Sequence, residues 1–448
     1  MTAKTYAPLA ITLALGLGLA ATACAEPSAQ LFTDLEVEPV ADGFTSPHLL
    51  VTPPGDARRF VVDLVGRIVI LDDDGTPHAA PFLDISDRMV TLRESYDERG
   101  LLALAFHPDY EANGRLFVYY SAPLREGGPE DWDHTGHLSE FRRSDDPDRA
   151  DPDSERVIMQ HDQPQFNHNG ARLDFGSDGY LYVGLGDGGA AGDVGMGHPP
   201  LGHGQDVTTM LGSVLRIGVE QEPYGIPADN PLIDQTLPDD VEYQGDEPRP
   251  EIWAWGIRAT WGMAFDRQTG HLLLADVGQD LWEEVNLMKE PGNYGWRLKE
   301  GTHGFDPDDM QRVIEEGPET GYLAEPLIDP VIEYRNARGH GEGMGICVIG
   351  GRMYRGKVIE RLRGHYVFGD WTQRPQESAG VVIVAHPPED AETGANELWP
   401  REVAIELDDY VLGFGEDAEG ELYVMTTANR GPAGTTGRVW RIVGGERE

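Results

Sequence analysis

The stretch Phe166 to Gly189, "FNHNGARLDFGSDGYLYVGLGDGG", decides the fold. Ser177, Asp178 and Gly179 supply turn chemistry between two runs in which Leu173, Phe175, Leu181 and Val183 alternate with other residues. That pattern is an antiparallel hairpin with one face in a core. Counted outward equally from the turn, His168 and Asp187 fall opposite each other at the open end, within one residue of register. An imidazole and a carboxylate therefore share one rim, set among glycines.

The second run of this hairpin is one copy of a recurring theme, a turn residue followed by an apolar or aromatic triplet. The copies are "ARRFVV" at Phe60, "NGRLFVYY" at Phe117, "DGYLYVGL" at Tyr182, "TGHLLLAD" at Leu273, "RGHYVFGD" at Val367 and "EGELYVMT" at Tyr423. Second β-rich segments follow them: "GRIVIL", "HLSEFRR", "GSVLRIGV", "EEVNLM", "GVVIVA" and "GRVWRIV". Strand-rich repeats longer than about fifty residues, without long amphipathic helices, predict blades of four strands. Six of them give an all-β fold, a six-bladed β-propeller, over residues 33–446. The early segment "TDLEVEPVADGF" is expected to pair with "GRVWRIV" and close the ring, removing an exposed edge. Residues 192–205, 220–250 and 296–345 are rich in Gly, Pro and acids and are expected to be loop insertions where a site is built.

Composition narrows the function. The 448 residues carry 78 acidic against 35 basic side chains, a formal net charge of −43, which excludes nucleic acid and anionic membrane surfaces as partners. The acids are spread along the chain, as in a hydrated acidic shell. Residues 1–25 have the pattern of a signal peptide: Lys4, the apolar run "LAITLALGLGLAATA", then Ala23-Cys24-Ala25. The expectation is a periplasmic or secreted protein with no transmembrane span in its mature form, either cleaved after Ala25 or lipid-anchored through Cys24. Cys347 then has no partner for a disulfide and is expected to be a small buried apolar residue. Trp253 and Trp255 are expected to pack inside a blade. No Gly-x-Ser-x-Gly elbow, phosphate-binding Gly-Lys-Ser/Thr loop or His-Glu-x-x-His helix occurs.

The phrases "ERGLLALAFHPDYEANGRLFVYY", "FNHNGARLDFGSDGYLYVGLGDGG", "LGSVLRIGV", "EIWAWGIRATWGMAFD", "DVGQDLWEEVNLMKEPGNYGW" and "LGFGEDAEGELYV" together resemble the glucose/sorbosone dehydrogenase family, from about Leu35 to Val443. That family includes soluble sugar dehydrogenases dependent on pyrroloquinoline quinone (PQQ) and aldose sugar dehydrogenases, and its fold is a six-bladed propeller. The resemblance implies His168 as general base, Asp187 as the residue that orients it, and Arg258 as the contact to quinone and substrate. A neutral imidazole can accept a sugar hydroxyl proton while hydride leaves the same carbon.

The resemblance also implies calcium, held beside the cofactor by the backbone carbonyls of Gly278 and Gln279, and a second calcium at Glu284 with the Tyr294 carbonyl. Independently, Asp276, Asp280, Glu283 and Glu284 form a cluster of hard oxygen donors suited to calcium rather than zinc. Glu98 stands where the family has a cofactor-binding Gln, and Ala259 where it has Asn. Gly413 and Gly415 stand where arginines for the three PQQ carboxylates are sought, with Arg335, Arg338, Arg352, Arg374 and Arg430 as possible substitutes. Without a Cys-x-x-Cys-His sequence, electrons must pass to an external cytochrome or quinone. Two other functions suit the same scaffold: a non-catalytic propeller binding carbohydrate or protein, as in hedgehog-interacting proteins, and a hydrolase of lactones or phosphoesters built on a central calcium.

Overall fold

The computed structural model describes residues 31–445 apart from 392, 394 and 395. The expected signal peptide, with Cys24, lies outside these residues. Strands dominate, and the only α-helices among the described residues are the single turns Tyr110–Asn113 and Ala337–His340. None of the described helices is long and apolar enough to cross a membrane.

The six copies of the sequence theme each become two adjacent antiparallel strands. They are Arg59–Asp63 with Arg67–Leu71, Arg115–Pro123 with His134–Arg143, Leu181–Gly184 with Ser213–Ile217, Leu272–Asp276 with Trp282–Met288, Tyr366–Asp370 with Val381–Ala385, and Leu422–Thr427 with Gly437–Gly444. A further strand precedes each pair: Pro47–Val51, Leu101–Phe106, Arg172–Phe175, Thr260–Phe265, Val348–Met353 and Tyr410–Glu416. These first strands touch one another in that order, and the last returns to Pro47–Val51 through the parallel pair Leu50 and Gly415. The result is a closed circuit of first strands with the remaining strands outside it.

Glycine allows this convergence. A Cβ on Gly262 would lie 2.2 Å from the Gly350 Cα, so the backbones of two neighbouring first strands meet where no side chain fits. Gly413 is equally confined, because its Cβ would fall 1.8 Å from the His48 carbonyl oxygen. The sought arginine is therefore impossible at that position. Apolar side chains fill the space between successive sheets: Phe60 meets Phe82 and Phe106 edge-on at 4.9 Å, while Trp253 and Trp255 are buried as expected.

Closure follows the expected pairing. Leu35–Phe44 runs antiparallel to Gly437–Gly444, so one sheet contains both ends of the described chain. Two insertions, 192–205 and 220–250, are free of strands. The third is not wholly loop: Ile332–Arg335 is the outer strand of the sheet begun by Thr260–Phe265, and Lys299–Glu300 pairs with His303–Gly304. A run rich in Gly, Pro and acids hid one short outer strand.

Ile442 tests the closure, since it is 1% exposed on the last strand. Ile442→Ala should lower the unfolding free energy in urea titrations by about 2–5 kcal/mol, while substitution of exposed Glu36 on the partner strand by Ala stays within about 0.5 kcal/mol.

Candidate active site

Two sets of connections meet at one end of the circuit, those entering the first strands and those joining second strands to third. They enclose a cavity of about 410 Å³. Glu98, His168, Arg258 and Cys347 reach its wall from the first set, and Gly278, Gln279, Trp371 and Arg430 from the second.

His168 lies outside the ladder, four residues before Arg172–Phe175, at a left-handed φ of 51°. The hairpin pairs Arg172 with Gly184 and Phe175 with Leu181, which puts His168 one residue out of register with Asp187. The side chains close that gap: His168 Nδ1 sits 2.7 Å from Asp187 Oδ1. The same carboxylate accepts from the Gly189 N–H at 3.0 Å and from Trp296 Nε1 at 2.9 Å. Burial works to raise the Asp187 carboxyl, but His168, hydrogen-bonded to it, and Arg258 outweigh burial and hold it below the usual carboxylate range. An ionised carboxylate only accepts, so Nδ1 carries the proton and Nε2 is the basic atom of the neutral ring. The main chain is fixed as well, because the His168 N–H donates to Glu98 Oε2 at 2.7 Å and Tyr96 donates its hydroxyl to the other Glu98 oxygen.

Arg258 is buried and makes no ion pair among the described residues, so it is not a surface salt-bridge residue. Its Nη1 donates to the Val277 carbonyl at 2.8 Å and its Nη2 to Gln279 Oε1 at 3.0 Å, while Nε is buried without a partner. The guanidinium lies 5.3 Å from the centre of the Trp296 ring that also holds Asp187. Its backbone carbonyl accepts the Asp187 N–H at 2.7 Å. Catalytic candidates from neighbouring sheets are thus joined directly.

Gly278 and Gln279 line the cavity, and a Cβ on Gly278 would sit 1.6 Å from the Trp282 carbonyl oxygen. Glu284 and Tyr294 do not reach the cavity wall. Glu284 faces Asp276 across the ladder and accepts from Asn286 Nδ2 at 2.8 Å and the Gly301 N–H at 2.7 Å. Burial, and then the Asp276 charge, push the Glu284 carboxyl up to about 8, while burial raises Asp276 to about 6. Beside them the Asn286 side-chain oxygen is buried without a partner. The Tyr294 N–H donates to the Trp255 carbonyl and its hydroxyl to that of Glu290. No cluster of three or more His, Cys, Asp or Glu poised for a metal occurs among the described residues.

Of the candidate substitute cations, Arg338 and Arg430 reach the cavity. Arg335 lies over Trp282, Arg374 pairs with Glu377, and Arg352 lines a cavity at the other end of the circuit. Arg430 stands 5.5 Å from the Tyr96 ring centre and 6.0 Å from that of Trp371, which stacks on Tyr410 at 4.5 Å. Cys347 differs from expectation: it is only half-buried and forms part of the wall. Desolvation, with the charges of Glu283, Asp370 and Glu98, pushes its thiol well up, so it stays protonated and is no nucleophile.

Tyr96, Trp371 and His48 also line the cavity and were missed in the sequence. A signal existed for Trp371, which directly follows the fifth copy of the theme as Asp187 closely follows the third. His48, buried with Nε2 3.2 Å from the Leu102 carbonyl, is lowered to about 3, first by desolvation, and is therefore neutral.

Comparison with known proteins agrees with this architecture. The chain is 28% identical to the HIPL1 protein of Arabidopsis thaliana over 443 residues, covering 85% of this chain and 60% of that protein. It is 27% identical to the hedgehog-interacting protein of Homo sapiens over 426 residues, covering 92% and 53% respectively. The chain thus spans between half and two thirds of the length of these curated relatives. Among solved structures, the PQQ-bound form of aldose sugar dehydrogenase from Streptomyces coelicolor shares the fold, with a TM-score of 0.62, 19% identity, and coverage of 91% of this chain and 97% of that one. A family model described as Glucose / Sorbosone dehydrogenase matches residues 44–431, and the chain belongs to that family.

Proposed function

We propose that this chain is a six-bladed propeller enzyme that oxidises the hydroxyl of an aldose or related sugar with bound PQQ, and that it works outside the cytoplasm and passes electrons to an external cytochrome or quinone. The observation that carries this reading is cationic supply. Arg258, Arg338 and Arg430 surround one cavity beside His168, and none has an ion-pair partner among the described residues, in a chain with 78 acids. Their positive charge suits the three carboxylates of PQQ, and Arg338 and Arg430 can each bind one in bidentate fashion. The Tyr96 and Trp371 rings offer planar apolar surface beside them. Dividing the eight-stranded sheet at its single parallel pair, Leu50 with Gly415, supports the count of six blades.

When bound, the quinone supplies a two-electron acceptor for hydride, and calcium beside it supplies Lewis acidity. The protein's part is proton transfer and orientation. His168 Nε2 takes the proton of the sugar hydroxyl as the carbon loses hydride. Asp187 then stabilises the imidazolium through Nδ1, and Trp296 and Gly189 keep that carboxylate in place. Arg258 faces the same space with an unused Nε and stabilises negative charge there. The carbonyls of Gly278 and Gln279 are the hard donors available to calcium at the wall. Glu284, Asp276 and the unpartnered Asn286 oxygen suit a second ion, to which we also assign the Tyr294 carbonyl.

Adding PQQ and calcium to the purified protein should give a saturable quinone absorbance change and dye reduction with some members of an aldose panel. His168→Gln should retain quinone binding while kcat/KM falls about 10²–10⁴-fold, as expected for loss of a general base. The combined Arg338→Gln and Arg430→Gln substitutions should weaken quinone binding at least about tenfold by removing two charge-assisted contacts. Absence of any quinone binding would instead support a non-catalytic binding propeller, the function that the hedgehog-interacting relatives bring to mind.

Calcium should raise the thermal midpoint, and its effect has a definite pH dependence. Glu284 and Asp276 hold protons below about 8 and about 6, so calcium must displace protons at lower pH. The calcium-induced rise should therefore be larger above pH about 8 than below about 6, and Glu284→Gln should remove most of that difference.

A further inference from the structure

The first strands all run the same way, and their far ends enclose a second cavity of about 400 Å³, opposite His168. Leu173 and Phe175, Met263 and Phe265, and Arg352 line it from three neighbouring first strands. Arg172 lines it too. Its Nη1 donates to the Leu102 carbonyl at 2.9 Å, the same oxygen that lies 3.2 Å from Nε2 of His48, a residue of the central cavity.

Arg172 is 4% exposed, yet it has no carboxylate partner among the described residues. Its Nη1 is satisfied by the Leu102 and Ala171 carbonyls, whereas Nη2 is buried with no partner. Its guanidinium lies 5.6 Å from the Trp261 ring centre, so the stem is packed while one edge stays unused. Arg352, half-buried, makes a single long contact at 3.4 Å with the Met263 carbonyl and likewise has no ion pair. Burial, and then the Arg352 charge, lower Arg172 to about 10, so the two guanidinium groups repel each other across this space.

The acids around the cavity do not relieve that repulsion. Asp266 is held by Arg355 and by Thr269. The two Asp174 oxygens accept the N–H groups of Phe175 and Phe265, and Arg267 lies 3.8 Å away. A buried unpaired guanidinium is costly. A chain with more than twice as many acids as bases could have placed a carboxylate between Arg172 and Arg352, but it leaves the space open.

We propose that this second cavity binds a small oxyanion, phosphate or a carboxylate, between Arg172 and Arg352. The anion supplies the missing acceptor for Arg172 Nη2 and bridges Arg172–Phe175 to Val348–Met353, two first strands separated by Thr260–Phe265. The site stands apart from the quinone reading, because neither arginine lines the central cavity.

The test is calorimetric titration of the purified chain with sodium phosphate and, separately, sodium acetate, at sub-millimolar concentrations in dilute HEPES buffer. Saturable binding is expected for at least one of them, and the tighter one identifies the oxyanion class. Arg352→Gln should weaken it at least about tenfold, the loss of one charge-assisted pair, and Arg374→Gln, at an exposed pair with Glu377 away from both cavities, should leave it unchanged. Should Arg352→Gln fail to fold, Arg352→Lys takes its place, and its loss of bidentate geometry should still weaken binding measurably. No saturable binding of either anion, unchanged binding in the Arg352 variant that folds, or equal loss in Arg374→Gln would each overturn the proposal.

Discussion

Buried carboxylates at the ends of second strands hold the functional end of this protein together. Asp63 accepts the N–H groups of Thr45 and Ser46, Asp276 those of Arg258 and Ala259, and Asp370 those of Ile346 and Cys347. In each case the aspartate ends the second strand of a sheet and its donors lie just before the first strand of the same sheet. Entering connections carry backbone donors that no ladder satisfies, and an acceptor is required wherever they are buried. The device fixes the loops from which His168, Arg258 and Cys347 project.

The third sheet applies a related device to the candidate base His168. Its second strand ends at Gly184, and Asp187, three residues later, accepts from the His168 side chain, while Glu98 takes over the His168 N–H. The electrostatics separate the two roles. Burial raises Asp63, and raises Asp276 to about 6 and Asp370 to about 7, whereas Asp187 is held low despite equal burial. Hydrogen bonds from neutral backbone groups do not offset the desolvation of a carboxylate, even with the Arg258 charge near Asp276, whereas a hydrogen-bonded imidazole able to become cationic does so at Asp187. The one aspartate of the four held below the usual carboxylate range is therefore the one that faces an imidazole.

Much of this was legible in the sequence because strand repeats have a short period and their turns use glycine. The six copies of the theme gave the second and third strands directly, and the ends of "LLLAD" and "VFGD" show the clamping aspartates. The His168 and Asp187 pairing was visible to within one residue, since hairpin register is set by the turn. Ile332–Arg335 was missed because four residues give no period to detect. The cavity positions of Arg338 and Arg430 were illegible for a different reason. Both lie on connections, where direction depends on the closed circuit rather than on any local pattern, and only Trp371, adjacent to a clamping aspartate, carried a local clue.

Because the site is assembled from several sheets, its integrity and the closure of the circuit are thermodynamically linked. Arg430 belongs to the connection between Leu422–Thr427 and Gly437–Gly444, within the sheet that Leu35–Phe44 completes. Arg258 belongs to the sheet of Thr260–Phe265, and Glu98 to the connection before Leu101–Phe106. An anionic ligand held by Arg258, Arg338 and Arg430 together binds only when these sheets are in place, so it stabilises the closed form in proportion to its affinity. Reciprocally, loosening the terminal strand pair would weaken binding of such a ligand even though neither strand of that pair lines the cavity. A net charge of −43 repels an anionic ligand at large, and Arg258, Arg338 and Arg430, without ion-pair partners among the described residues, gather positive charge where the folded circuit converges.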